Sequence, residues 1–227
     1  MNRSIFGRLV AKDLYFYRWM LAIALIAGVF SLVIASFSEG DGVRTGMNLG
    51  MLLFITTIIT FGIFISMAGI LKEKQDKSQL FVLSLPVSAA QYSAAKVCAA
   101  LIAFLGPWLV LTGGVIVATA ATGRPSGGIP FFVVMMTFFL VTFCVLLAIV
   151  AITMSEVGAI TGILITNLSV TLFFFSIGRS PDIAGRADEA VATWSPAILT
   201  LLTAEIALIL LSVALAIYLP SRKRDIT

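Results

Sequence analysis

Two adjacent segments decide the fold because long uncharged runs lie on either side of them. They are the charged stretch Lys72-Glu-Lys-Gln-Asp-Lys77 and the segment that follows it, Ser78-Gln-Leu-Phe-Val-Leu-Ser-Leu-Pro86-Val-Ser88. Five of the six residues 72–77 are charged, whereas residues 45–71 and 97–123 on either side carry no charge at all. Each flanking run exceeds the roughly 20 apolar residues with which a helix crosses a bilayer. The stretch therefore predicts an aqueous connection between two membrane spans.

The composition indicates an integral membrane protein. Hydrophobic residues make up 60% of the 227 residues and charged residues 11%, against about 45–50% and about 25% in soluble domains. The net charge of +4 is typical of the basic ends of a membrane protein, so we expect a lipid membrane and no nucleic acid as partner. There is no histidine, and the two cysteines lie far apart within apolar runs. We therefore expect no metal site, disulfide or catalytic residue.

Six apolar segments are long enough to span a membrane. They predict an all-α membrane protein with one domain, residues 1–227, and spans at residues 19–37, 47–71, 96–121, 128–154, 157–178 and 195–219. Ahead of the first span, helical spacing places Phe6, Val10 and Tyr17 on one face and Arg8 and Lys12 on another. This pattern predicts an amphipathic helix, residues 4–17, in the membrane interface.

The basic residues predict the orientation of the chain. With the N-terminus inside, eleven Lys and Arg residues fall on the inner side and four on the outer side. Because Lys and Arg concentrate in cytoplasmic segments, we expect both termini and the loop 72–95 to be cytoplasmic. Residues 190–202 form an apolar run that is either a re-entrant segment or the beginning of the sixth span.

Within the loop, capping signals predict a short helix. Asp76 followed by Gln79 resembles a capping box, and Pro86 disfavours helix at the residue before it. The helix would cover residues 76–84, about 13 Å, and Ser88 would open a second helix that becomes the third span. The apolar side chains of this short helix need cover, either from the lipid interface or from a groove in a partner.

The segment 73–96 resembles the cytoplasmic loop of ABC transporter permeases of the type-2 exporter family. The positions that match the family pattern are Glu73, Ser78, Val82, Leu83, Leu85, Pro86, Val87, Ser88 and Lys96. Lys77 stands where the family usually has Gly, and Leu80 where it often has an acid. The layout of six spans preceded by an interfacial helix also resembles that family.

The resemblance implies a permease that pairs with a second copy or a homologue in the cytoplasmic or inner membrane of a prokaryote. Separate ATP-binding cassette subunits would drive it, and the short loop helix would be the coupling helix that contacts them. The contact residues would be Glu73, Asp76, Lys77, Ser78, Gln79, Leu80, Phe81 and Leu83, with Pro86 and Ser88 in the turn. The chain contains no Gly-x-x-x-x-Gly-Lys-Ser/Thr phosphate loop. ATP and magnesium would therefore belong to the partner, and we do not expect this chain to be an enzyme.

Polar side chains within the spans are candidates for a substrate path. They are Thr57, Thr60, Thr166, Asn167 and Glu205. The resemblance places the second and fifth spans along the path at the dimer interface, and the apolar surroundings favour a hydrophobic or amphipathic substrate. Ordinary hydrogen bonds between helices explain the hydroxyl groups equally well.

Glu205 depends on where the sixth span begins. If it begins at Ser195, the carboxyl lies about 15 Å into the helix, where an acid costs about 2.5–3.5 kcal/mol on insertion scales. If residues 190–202 are re-entrant, Glu205 lies near the outer interface and the cost mostly vanishes.

Two other functions stay open. An ion-coupled secondary transporter would use Glu205 as a proton carrier, although the two halves of the chain show no similarity of the kind that inverted repeats have. A non-transporting membrane assembly subunit would use the loop only for docking. A membrane-embedded enzyme is disfavoured, because no nucleophile–base pair, paired carboxylates or metal ligands occur in the sequence.

Overall fold

Six long helices make up the bundle. The computed structural model describes residues 3–37, 49–75, 89–122, 125–181, 183–186 and 189–224. The helices are α1 (Arg3–Phe37), α2 (Leu49–Gln75), α3 (Ala89–Thr122), α4 (Gly128–Thr153), α5 (Glu156–Gly178) and α6 (Pro196–Arg224), with a 3-10 turn at Ala184–Arg186. Each helix is long and apolar enough to cross a membrane. The predicted all-α, six-span fold is confirmed.

Helix α4 lies at the centre of the bundle. It contacts α2, α3, α5 and α6, and buried residues occur on all of its sides from Pro130 to Ala151. A helix that is apolar all round is expected to be buried, and α4 has no charged residue. Aromatic rings join it to its neighbours: Phe138 stacks on Phe173 of α5 with ring centroids 3.6 Å apart.

The predicted interfacial helix and the first span form one helix, α1, without a break. No glycine or proline occurs in residues 8–27, so nothing in this part of the sequence favours ending the helix. Asp13 and Tyr17 are buried while Arg8 and Lys12 are exposed. The face that we expected to contact lipid thus contacts α2 and α3.

Two glycines of α2 lie where α1 comes closest. A Cβ atom on Gly50 would overlap the backbone nitrogen of Ala35 and would lie 2.5 Å from its Cα. A Cβ atom on Gly69 would overlap the hydroxyl of Tyr17. Small residues allow helix backbones to approach closely in membranes, so these glycines set the spacing of α1 and α2 at both ends.

The sixth helix begins at Pro196 and continues to Arg224. The hydroxyl of Ser195 accepts a hydrogen bond from the backbone N–H of Ile198 at 3.4 Å, which caps the helix, and proline suits the first helical position. Residues 189–195 are not helical. Of the two interpretations of residues 190–202, the structure supports the one in which the sixth span begins at about Ser195.

Candidate functional site

The residues predicted to contact an ATPase lie almost entirely outside the described part of the chain. These are Asp76, Lys77, Ser78, Gln79, Leu80, Phe81 and Leu83, together with Pro86 and Ser88 of the turn. Glu73 belongs to the last turn of α2. The structure gives the two helix ends that hold the loop, since α2 ends at Gln75 and α3 begins at Ala89. The residue roles within the loop stay predictions.

Next to this loop, Lys96 of α3 forms a buried ion pair with Asp13 of α1. The Nζ atom of Lys96 lies 2.9 Å from Oδ2 and 3.0 Å from Oδ1 of Asp13. The two side chains are only 10% and 8% exposed, and the Nζ atom is 5.9 Å from the ring centroid of Tyr92. A buried charge is tolerated when it is paired and hydrogen-bonded. Each of these two residues therefore supplies the opposite charge that allows the other to be buried in the bundle.

A cleft with an empty volume of about 310 Å³ lies beside this ion pair. Its walls come from four helices: Gly69, Tyr92, Ser93, Lys96, Val97, Ala151, Met154, Ala216 and Pro220. The Ser93 hydroxyl is buried and has no hydrogen-bond partner among the described residues. The ends of α2, α3, α4 and α6 thus meet around Lys96.

A second cleft, also about 310 Å³, lies among α2, α3, α4 and α5. Two of the predicted path residues line it. Thr166 is buried and donates to the carbonyl of Gly162 at 2.9 Å. Asn167 is exposed, and its Nδ2 donates to the carbonyl of Ile163 at 2.9 Å. Among the bonds described for these side chains, the acceptors are carbonyls of their own helix.

The predicted path residues of α2 lie elsewhere. Thr57 donates to the carbonyl of Leu53 at 2.8 Å and lines a smaller cleft between α1 and α3, beside Trp108. Thr60 is exposed on the surface of α2. Within one chain, therefore, the clefts described here do not bring Thr57 and Thr60 together with Thr166 and Asn167.

Glu205 lies on the inner face of α6. It is 3% exposed and shares this face with buried Ile198 and Ser212, seven residues away on either side. Because α6 begins at Pro196, the carboxyl is about 14 Å along the helix. Both carboxyl oxygens have no hydrogen-bond partner in the described ranges. An ionised carboxylate without a partner is so costly in an apolar core that the neutral acid is the expected form.

The start of α4 lies at the end of the bundle opposite the loop 76–88. There it is hydrogen-bonded to the connection that precedes α6. The backbone N–H of Gly127 donates to the carbonyl of Glu189 at 3.0 Å, and that of Ser126 to Ala190 at 3.2 Å. The Ser126 hydroxyl accepts from the N–H of Ala192 at 3.0 Å. A Cβ atom on Gly127 would lie 2.5 Å from the Glu189 carbonyl oxygen. The position therefore suits glycine alone.

The sequence interpretation missed Asp13 as the partner of Lys96. The signal was present: Asp13 is the only acidic residue in residues 1–38, and it lies one helical turn before Tyr17 on the apolar side of the predicted amphipathic helix. An acid on an apolar face indicates a buried partner. What the sequence did not supply was the identity of that partner, 83 positions away.

Comparison with known families agrees with this architecture. A search of curated proteins finds no match to the chain. A family model described as ABC-2 family transporter protein matches residues 8–221, which include five of the six membrane-spanning segments in full, all but the first two residues of the other, and the loop between α2 and α3. The match covers nearly the whole chain. The chain therefore belongs to the ABC-2 family of transporter proteins and is a multi-pass membrane permease of the ABC transporter class.

Proposed function

We propose that this chain is the membrane-spanning subunit of an ATP-driven exporter that moves a hydrophobic or amphipathic substrate when a separate subunit hydrolyses ATP. The observation that carries the proposal is the family match over residues 8–221, which takes in the loop 76–88 as well as the bundle. ATP and magnesium would be bound by the partner.

The coupling segment of the proposal is the loop 76–88, which joins α2 to α3. A partner that moves this loop acts on both helices at once, because the loop is covalently joined to each. Helix α2 contacts α4 and α5, and α3 contacts α4 and α6, so displacement of the loop is passed to most of the bundle. In this proposal the loop and both termini face the cytoplasm, in accord with the distribution of Lys and Arg.

The exposed face of α5 supports pairing with a second copy. This helix buries a narrow line of residues that includes Ala159, Gly162 and Thr166, and the rest of it is largely exposed. Asn167 lies on the exposed part, and an amide offers two donors and two acceptor sites. Hydrocarbon cannot satisfy these groups, whereas another protein surface or a water-filled path can.

The decisive experiment uses Leu80→Asp and Phe81→Asp in the loop. The wild-type chain is purified with the ATP-binding protein that accompanies it from its native cells. Each variant is expected to lose that protein while the permease still elutes as a single folded species, because a buried charge disrupts an apolar helix–groove contact. Val191→Asp is the matched control, since Val191 is 69% exposed and lies at the other end of the bundle. Unchanged co-purification and ATPase activity in both loop variants would contradict the coupling role.

Glu205 supports a second candidate, an ion-coupled transporter. Acidic residues inside membrane spans mark substrate or ion pathways and proton relays, and both carboxyl oxygens of Glu205 lack a hydrogen-bond partner in the described part of the chain. In that case transport would follow a proton gradient in the absence of ATP. A proteoliposome assay with each driving force applied alone separates the two functions.

A further inference from the structure

We propose that the Asp13–Lys96 ion pair carries movement of the loop 76–88 to helix α1, so that these two residues position α1 during the transport cycle. The inference rests on the proposed function, because it requires a partner that moves the loop. It extends that function to α1, a helix that is not adjacent to the loop 76–88 in sequence.

The location of Lys96 is the first reason. Lys96 lies seven residues after the start of α3 at Ala89, which is about 11 Å along the helix. A displacement of the loop reaches this turn of α3 through the hydrogen-bonded helix. The carboxylate of the pair belongs to Asp13 of α1. Helix α1 is connected to α2 at the other end of the bundle.

The bonding of the pair is the second reason. Both carboxylate oxygens of Asp13 are within 3.0 Å of the Lys96 Nζ atom, so the carboxylate binds the ammonium group in a short, bidentate contact. Both side chains are at least nine-tenths buried. Separating the two residues would break a short, buried ion pair, which is more costly than sliding one apolar surface over another. At this point α1 and α3 are therefore expected to move together.

The surroundings of the pair include a small cleft and further contacts of α1. The cleft beside Lys96 is bounded by Ala151 of α4 and Pro220 of α6. Helix α1 also packs against α2 and α3 beyond the ion pair, and the Tyr17 side chain lies against Gly69 of α2, so a test has to separate these contacts from the ion pair.

The test measures distances in the complex of the chain with its co-purifying ATP-binding protein. Cys98 and Cys144 are replaced by Ser and Ala, and spin labels are attached through Gly7→Cys on α1 or Ile102→Cys on α3. Each is paired with Val157→Cys on α5 as reference. A Cβ atom on Gly7 meets nothing within 4 Å, and Ile102 and Val157 are 51% and 74% exposed. One labelled copy per complex is obtained by dilution with unlabelled chain.

In the otherwise native complex, addition of magnesium, ATP and vanadate is expected to shift both the 7–157 and the 102–157 distances. With Asp13→Leu and Lys96→Met together, the 102–157 shift is expected to remain and the 7–157 shift to be lost. The exchanged pair, Asp13→Lys with Lys96→Asp, is expected to restore it. Tyr17→Phe is the matched control and is expected to leave both shifts unchanged.

Three outcomes decide the matter. If the α1 label shifts as far in the Leu/Met variant as in the native pair, the inference is wrong. If the double variants do not fold, the native complex alone still decides, because a shift at α3 without one at α1 overturns the inference. If neither label shifts and no ATP-binding protein co-purifies, the proposed function itself fails, which is a different result.

Discussion

Phe104 of α3 and Phe143 of α4 stack with their ring centroids 4.1 Å apart and their planes within 6° of parallel. Both rings are almost fully buried, and Phe61 of α2 lies against Phe104 at 6.0 Å. These rings join the two helices that hold the loop 76–88 to the central helix. A Cβ atom on Gly62 would come within 3.2 Å of the Phe104 ring, so a glycine makes room for the stack.

Replacing Phe143 by Ala is expected to destabilise the bundle by about 3–5 kcal/mol, the usual cost of removing a buried phenyl ring and leaving a cavity. The measurement is unfolding of the purified protein in mixed micelles of increasing denaturing-detergent content. Phe30→Ala is the control, because Phe30 is 62% exposed on α1, and its effect should stay within about 0.5 kcal/mol. Equal effects of the two changes would mean that the stack does not stabilise the core.

Gly127→Ala is expected to release the connection before α6 from the start of α4. The new methyl group would meet the carbonyl oxygens of Arg186 and Glu189 at 2.6 and 2.5 Å, and losing the backbone hydrogen bonds there costs about 1–3 kcal/mol. Cleavage after Glu189 by a glutamate-specific protease should become faster. Gly178→Ala serves as control, since a Cβ atom there meets nothing within 4 Å. Resistance equal to that of the wild type would contradict the role given to Gly127.

Gly50→Leu is expected to push α1 and α2 apart at the end of the bundle near Ala35. Overpacking of this kind typically costs about 1–3 kcal/mol, and here the obstacle is backbone, which cannot rotate away. The midpoint of thermal aggregation in detergent should fall. Gly113→Leu is the comparison, because the space around its Cβ position is open. A midpoint that falls equally in both variants would show only that replacing a glycine of these helices by leucine is unfavourable.

Glu205 distinguishes the two candidate functions. Glu205→Gln keeps the shape and stays neutral, so an ATP-driven permease is expected to fold and transport as before. Glu205→Leu is expected to stabilise the bundle by about 1–3 kcal/mol, because it removes a buried carboxyl group that has no hydrogen-bond partner among the described residues. Ser212→Ala, on the same face of α6, controls for a change in packing. Loss of transport in Glu205→Gln with folding intact would favour the ion-coupled transporter.

The apolar periodicity of the sequence was sufficient to predict the fold. Six segments of membrane length gave the six helices, and the uniformly apolar segment from Gly128 onward became the buried centre. The positions of helix ends were harder to predict. Nothing in residues 8–27 ends a helix, yet the interfacial helix was predicted to end at residue 17 and the first span to begin at residue 19, whereas α1 continues through this point.

Contacts between distant parts of the chain were not accessible from the sequence pattern. The partner of Lys96 is 83 residues away in the chain, and its identity depends on the packing of α1 against α3. The burial of Glu205 likewise required the start of α6 to be known, because a shift of a few residues exchanges the inner face of a helix for the outer one. The predicted loop contacts concern a partner surface, which one chain alone does not define.

The arrangement of α4 and α6 has a consequence for biosynthesis. Helix α6 covers α4 along much of its length, although it is the last of these six helices to leave the ribosome. Until then, the most apolar helix of the protein has one flank facing lipid. The bundle is therefore completed only after residues 196–224 have been synthesised, and a chain that stops before Pro196 would present an open groove to the quality-control proteases of the membrane.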